Sequence, residues 1–223
     1  MAKVCCASQA EIEKEVSFRY DYASSVPHLC LSCGFPVTRL DIKVGETGLD
    51  IGSGAGTDVF DAAARVGSEG FVYGLDLSPE MLRTARKSRR SAGILNCRFI
   101  RGSADNIPLP DSAVDFVMSN CAMNHLFDKL KAFSEIFRVM KTGGRVAISD
   151  IYARKRLEPE IRRDPAMWAA CVGGAVTKGE YLRTLQKAGF SKIKIVEEKL
   201  SEKKKSYGIM SFTFTAYKAK EVR

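Results

Sequence analysis

No stretch of this chain approaches the ~20 consecutive apolar residues that span a bilayer. The opening, MAKVCCASQAEIEKE, lacks the hydrophobic core of a signal peptide. These absences exclude a membrane partner and lead us to expect a cytoplasmic protein. No G-K-[ST] follows the glycine-rich segment, which excludes a P-loop. The basic clusters at 83–90, 154–156, 162–163 and 203–205 are scattered and carry no interleaved aromatic residues. A platform for single-stranded nucleic acid needs such aromatics. The formal net charge of +9 therefore reads as solvated faces and a field that draws anionic substrates, with no nucleic-acid partner. Internal repeats and long low-complexity linkers are also missing, and histidine occurs only twice.

What is present suffices for one globular unit. The chain has 223 residues, and one of that size buries about 70% of its unfolded surface, so it needs no disulfide staples. Seven cysteines, an odd number beside no export signal, point to reduced thiols with chemical or metal-binding roles.

The rest of the chain is arranged around residues 47–56. Asp50 sits in a short, mostly apolar run that reads as a buried strand; Gly52, Ser53, Gly54 and Gly56 follow. A helical pattern then begins, with Val59, Phe60, Ala63, Ala64 and Val66 on one face. Glycine suits a turn whose backbone conformation and close ligand approach a Cβ would block. The helix N-terminus offers unpaired N–H groups to an anionic ligand group. The G-x-G-x-G spacing brings the third glycine one residue earlier than in the dinucleotide fingerprint. Asp50 places a carboxylate where a pyrophosphate would be repelled and an ammonium group welcomed. A second apolar strand, FVYGLD, ends in Asp76, an acidic residue suited to accept hydrogen bonds from both hydroxyls of a ribose. A cation and a ribose without phosphate fit S-adenosylmethionine better than NAD.

LDIGSGAG and YGLD, in this order and spacing, resemble the first two motifs of the class I S-adenosylmethionine-dependent methyltransferases. The resemblance implies cofactor-binding roles for Asp50, Gly52, Ser53, Gly54, Gly56 and Asp76. It also implies an adenine position at Ser103, Ala104 and Asp105, the methionine moiety beside Asn120, and flanking contacts from Leu77 and Met81. The alternative is a doubly wound domain in which the glycine turn is only structural.

Strands are predicted near 47–51, 71–76, 97–101, 114–119 and 144–150, with helices near 57–66, 79–92 and 129–140. Ser78-Pro79 supplies an N-cap and first turn, and Gly143-Gly144 is expected to end the third of these helices. Such alternation means a mostly parallel α/β sheet with helices on both faces. Ahead of it, 11–22 reads as a helix and 24–36 as a loop. Behind it, 159–173 reads as a helix over the ligand edge and 178–188 as an amphipathic helix. Two strands, 192–199 and 208–218, form the C-terminal antiparallel hairpin usual in class I methyltransferases. The expected organisation is an N-terminal cysteine-containing extension over 1–46, an S-adenosylmethionine-binding core over 47–151, and a substrate-covering lid with the hairpin over 152–223.

Cys33 in LSCGFP, Cys121 in MSNCAMNH and Cys171 in MWAACVGGA occupy settings that packing explains poorly. Thiolates bind soft metals and metalloids, and three could gather over the cofactor. SCGFP, LDIGSGAGTDVF, SNCAMN, FRVMKTGGRVAISD and WAACVGGA together resemble the arsenite S-adenosylmethionine methyltransferases. That resemblance implies that Cys33, Cys121 and Cys171 bind arsenic and that arsenite, or its thiol conjugate, is the substrate in a detoxifying methylation. It implies S-adenosylmethionine as cofactor and a thiol reductant as partner, with Cys5, Cys6 or Cys30 able to join a disulfide step. The chain departs from the family at Cys30, Phe35 and His125, where glycine, asparagine and leucine are common. Two other readings stand beside this one. The chain could methylate a small organic acceptor such as a quinone precursor, with His125 as base. It could also be a cysteine-rich metalloid or zinc binder whose cofactor site is vestigial, and Cys30 and Cys33 with Cys5 and Cys6 could instead form a zinc site. Cys97, on a predicted strand, reads as apolar filler.

Overall fold

From residue 47 onward the alternating strands and helices wind into a single seven-stranded sheet. The computed structural model describes residues 8–23 and 34–219. Helix α1 (Gln9–Ala23) precedes β1 (Thr47–Ile51), α2 (Thr57–Val66), β2 (Phe71–Asp76), α3 (Pro79–Ser91) and β3 (Cys97–Arg101). Then come β4 (Val114–Asn120), α4 (Lys129–Val139), β5 (Met140–Ala153) and two short helices, α5 (Pro159–Arg163) and α6 (Pro165–Ala169). The chain closes with α7 (Lys178–Lys187), β6 (Phe190–Leu200) and β7 (Ile209–Lys218). The strand order is β3-β2-β1-β4-β5-β7-β6. β1 to β5 run parallel, and β7 is antiparallel to both β5 and β6. The fold is that of the class I methyltransferases, as the sequence predicts.

The central strands are apolar on both faces because helices cover both. Leu49, Val117, Ile148 and Phe214 pack with Phe133, Ile136 and Tyr181 from α4 and α7. On the opposite face Phe99, Phe116 and Met118 pack with Val59, Ala63 and Leu82 from α2 and α3, and Cys97 is buried there as filler. Side chains cap the helix starts, at α3 as the sequence indicates. The Ser78 hydroxyl accepts from the Met81 N–H at 3.0 Å, and Thr177 and Glu180 form a reciprocal capping box on α7.

Two predicted boundaries move. Gly143-Gly144 does not end a helix: α4 stops at Val139 and β5 starts at once. The glycines form a bulge inside β5, since Val114 pairs with Met140 while Phe116 pairs with Arg145. Gly143 takes φ +82, and a Cβ on Gly144 would stand 2.8 Å from the Lys141 carbonyl oxygen. The glycines mark a tight backbone irregularity rather than a stop. The predicted helix 159–173 is two helices, because Pro165 removes a donor and Asp164 restarts the chain by accepting from the Ala166 N–H at 2.9 Å. The second ends at Ala169, and Cys171 takes φ +60.

Candidate active site

The C-terminal ends of β1, β2 and β4 and the turn after β3 open onto a cavity of about 420 Å³ that α1 closes from the side. This is the crevice where open α/β sheets bind ligands. Asp50, Gly52, Ser53, Gly54, Asp76, Leu77, Met81, Ser103, Ala104, Asp105, Asn120 and Cys121 all line it. Gly56 does not. It starts α2 at φ +94, and a Cβ there would lie 2.6 Å from Cζ of Phe99, so this glycine lets helix and sheet close together.

Asp50 and Ser53 on the floor each carry a buried polar atom left unsatisfied by the described residues. Asp50 is 2% exposed, and its Oδ1, like the Ser53 hydroxyl, has no hydrogen-bond partner among the described residues. Burial drives the Asp50 carboxyl well above its ordinary pKa, with Asp58 and Asp76 adding like-charge repulsion. A buried acceptor of this kind calls for a cationic or hydrogen-bond-donating ligand group. Asp76 is already organised: Oδ2 accepts the Gly54 N–H and Oδ1 the Ser78 N–H, each at 2.8 Å. The carboxylate retains acceptor capacity for a hydroxyl of the ligand. Asn120 donates to the Gly34 carbonyl at 2.8 Å, and Asp105 lies 3.6 Å from Lys131. This donor and acceptor set fits the methionine and ribose ends of S-adenosylmethionine.

Of the two described candidate cysteines, Cys121 lines this edge and Cys171 touches a residue that does. Cys121 follows β4 at φ +58, its N–H donating to the Ser149 carbonyl at 2.8 Å; it is disulfide-bonded, whereas Cys97 and Cys171 are free thiols. Cys171 is buried just behind the wall, its Sγ 3.1 Å from Nε2 of His125, and His125 lines the cavity. Both cysteines hold left-handed backbone conformations, a sparse state for such residues that concentrates at functional sites. Burial raises the Cys171 thiol, but the neighbouring His125 outweighs it and brings the pKa down to about 7. His125 is raised in turn: burial opposes its charge, and Cys171 more than compensates. Cys5, Cys6, Cys30 and Cys33 lie outside the described residues, and among those described no three acidic, histidine or cysteine side chains form a metal-holding group.

Sequence reasoning missed the wall that α1 supplies. Ile12, Val16 and Tyr20 line the cavity, and Ile12 and Val16 pack on Trp168 and Ala169 of α6. Their four-residue spacing is a legible stripe, but nothing in it says what it covers. Also missed was the buried polar group behind the site. Asp150 accepts from Asn124 at 2.8 Å and from the Tyr181 hydroxyl at 3.1 Å. Lys129 beside it donates to the Gly174 carbonyl at 2.7 Å, and burial lowers its pKa to about 8.

A sequence profile described as a methyltransferase domain matches residues 42–189. The chain belongs to the methyltransferase-domain family. This methyltransferase domain is 37% identical over 196 residues to an arsenite methyltransferase of Halobacterium salinarum, covering 86% of this chain and 50% of that one. It is 31% identical over 196 residues to an arsenite methyltransferase of Aquipseudomonas alcaligenes, covering 85% and 53%. The chain thus spans about half the length of these curated relatives. Among solved structures, an arsenic(III) S-adenosylmethionine methyltransferase from Chlamydomonas reinhardtii superposes with a TM-score of 0.74 at 29% identity, covering 91% of this chain and 73% of that one. The cofactor of the domain is S-adenosylmethionine. Among the described residues no helix is long and apolar enough to cross a membrane.

Proposed function

We propose that this methyltransferase domain methylates trivalent arsenic held by Cys33, Cys121 and Cys171. The observation that carries the reading is the approach of two cysteines, distant in sequence, to one cavity edge: Cys121 lines it, and Cys171 bonds a residue that does. Asp50 holds the cofactor's ammonium group, Asp76 its ribose hydroxyls, and Ser103, Ala104 and Asp105 its adenine. S-adenosylmethionine supplies an electrophilic methyl group. Each thiol replaces one hydroxide of arsenite, the thiol proton leaving with it as water. Arsenic bound by three thiolates keeps a lone pair and carries no proton, so the chain needs no general base. Its work is to bring the acceptor beside the cofactor, where effective molarities reach ~10⁵ M or more.

Cys121 must be reduced before it can bind arsenic, so the reading requires a thiol reductant and a reducing compartment, the cytoplasm. The quinone-type reading gains no support from His125, because Nε2, the atom that would take a proton, already faces Tyr20 and Cys171. Incubation with arsenite, S-adenosylmethionine and a thiol, followed by arsenic speciation, tests the proposal. Wild type should yield methylarsenicals and Cys121→Ser and Cys171→Ser should not; undiminished output from either variant would remove that cysteine from the site.

A further inference from the structure

Three polar atoms from three separate segments meet beside the cavity. The Tyr20 hydroxyl of α1 lies 2.9 Å from Nε2 of His125, Cys171 Sγ lies 3.1 Å from the same nitrogen, and hydroxyl and sulfur are 3.9 Å apart. His125 is fixed from behind. Its Nδ1 stands 3.0 Å from the Trp168 carbonyl oxygen, which can only accept, so Nδ1 carries a proton and Nε2 faces the hydroxyl and the sulfur. Tyr20 packs edge-on against the imidazole, with centroids 5.4 Å apart and planes at 88°. The Trp168 carbonyl also accepts the Cys171 N–H at 2.8 Å. One oxygen therefore ties down both the backbone of the cysteine and the ring that reaches its sulfur.

We propose that His125 and Tyr20 are positioning residues for Cys171, fixing its sulfur beside the cofactor cavity in the orientation that takes arsenic together with Cys121. The ligand named here rests on the arsenic reading; the clamp itself rests on the geometry around Trp168. A free cysteine left in a left-handed turn has several rotamers open to it. Two hydrogen-bonding side chains that converge on the sulfur select one, and α1 must be docked for Tyr20 to contribute. Docking of the cavity wall and presentation of the thiol are then a single event.

Alkylation of the reduced full chain by iodoacetamide, with peptide mass mapping of each cysteine, tests this alongside arsenite KM and kcat. Cys97, buried on the other face of the sheet, reports whether the fold is intact. His125→Leu should slow Cys171 alkylation by about tenfold or more, the worth of a hydrogen bond to a charged sulfur. It should raise the KM for arsenite more than it lowers kcat, with Cys97 still protected. His125→Gln, whose amide N–H can reach the sulfur, should recover most of the rate, and Tyr20→Phe should show a smaller loss. Should His125→Leu expose Cys97, the loss in Tyr20→Phe carries the test. Equal Cys171 alkylation in wild type and in folded His125→Leu, or in wild type and Tyr20→Phe, overturns the inference, whatever the arsenic result. Conversely, a wild type that captures no arsenite while Cys171 still depends on His125 defeats the arsenic reading and leaves the clamp standing.

Discussion

The carboxylate of Asp76, at the end of β2, accepts the backbone N–H of Gly54 at 2.8 Å, so the acidic strand end and the glycine turn are one unit. Burial raises the Asp76 pKa, and the N–H bonds from Ser78, Gly54 and Leu77 pull against that rise, which suits the ribose contact proposed above. Asp76→Ala should weaken S-adenosylmethionine binding by ~1.5–3 kcal/mol, the range for hydrogen bonds to a charged group. Isothermal titration measures it. A loss below about tenfold would move the ribose contact elsewhere.

Gly56 gives a prediction of opposite character. A Cβ there would meet the Phe99 ring at 2.6 Å and sit on a backbone at φ +94. Gly56→Ala should cost ~1–3 kcal/mol of stability through overpacking and strain. Cofactor affinity of the folded fraction should be kept, because this glycine lines no part of the cavity. Urea unfolding and titration, run on the same sample, separate the two effects.

Tyr181→Phe removes the hydroxyl that donates to Asp150 Oδ2 in a fully buried site. The oxygen left behind is fully buried, and the expected loss is ~1–3 kcal/mol. Circular dichroism during urea unfolding reads it. A neutral result would mean that water enters beside Asp150.

Lys129 predicts a pH dependence. Burial lowers its pKa from 10.5 to about 8, so between those values the unfolded chain holds more protons than the folded one, and stability rises with pH. Below about 8 the buried ammonium is fully charged and its cost fully present. The urea midpoint of wild type should therefore climb relative to Lys129→Met across that window. Parallel profiles would show that Lys129 titrates as it does in water.

Much of this was legible because it is local. The turn around Gly52 and Gly54, the acidic end of β2 and the Ser78 cap are each specified within a few residues. Gly143-Gly144 misled because a glycine pair marks a helix end and a bulge alike, and only the pairing of β5 with β4 decides between them. The use of Ile12, Val16 and Tyr20 was hidden because their stripe shows that a surface is covered without saying which one. Likewise His125 reads as a spare base until the Trp168 carbonyl, 43 residues away, shows which nitrogen holds the proton.

Trp168 is the only indole in the chain, and it lies at the junction of these parts. Its ring stacks near Phe127 and packs with Ile12 and Val16 of α1, while its carbonyl serves both His125 and Cys171. The molecule therefore carries its own optical reporter: undocking of α1, or heavy-atom occupancy at the neighbouring sulfur, changes the surroundings of the sole fluorophore of its kind, and emission follows each event without a label.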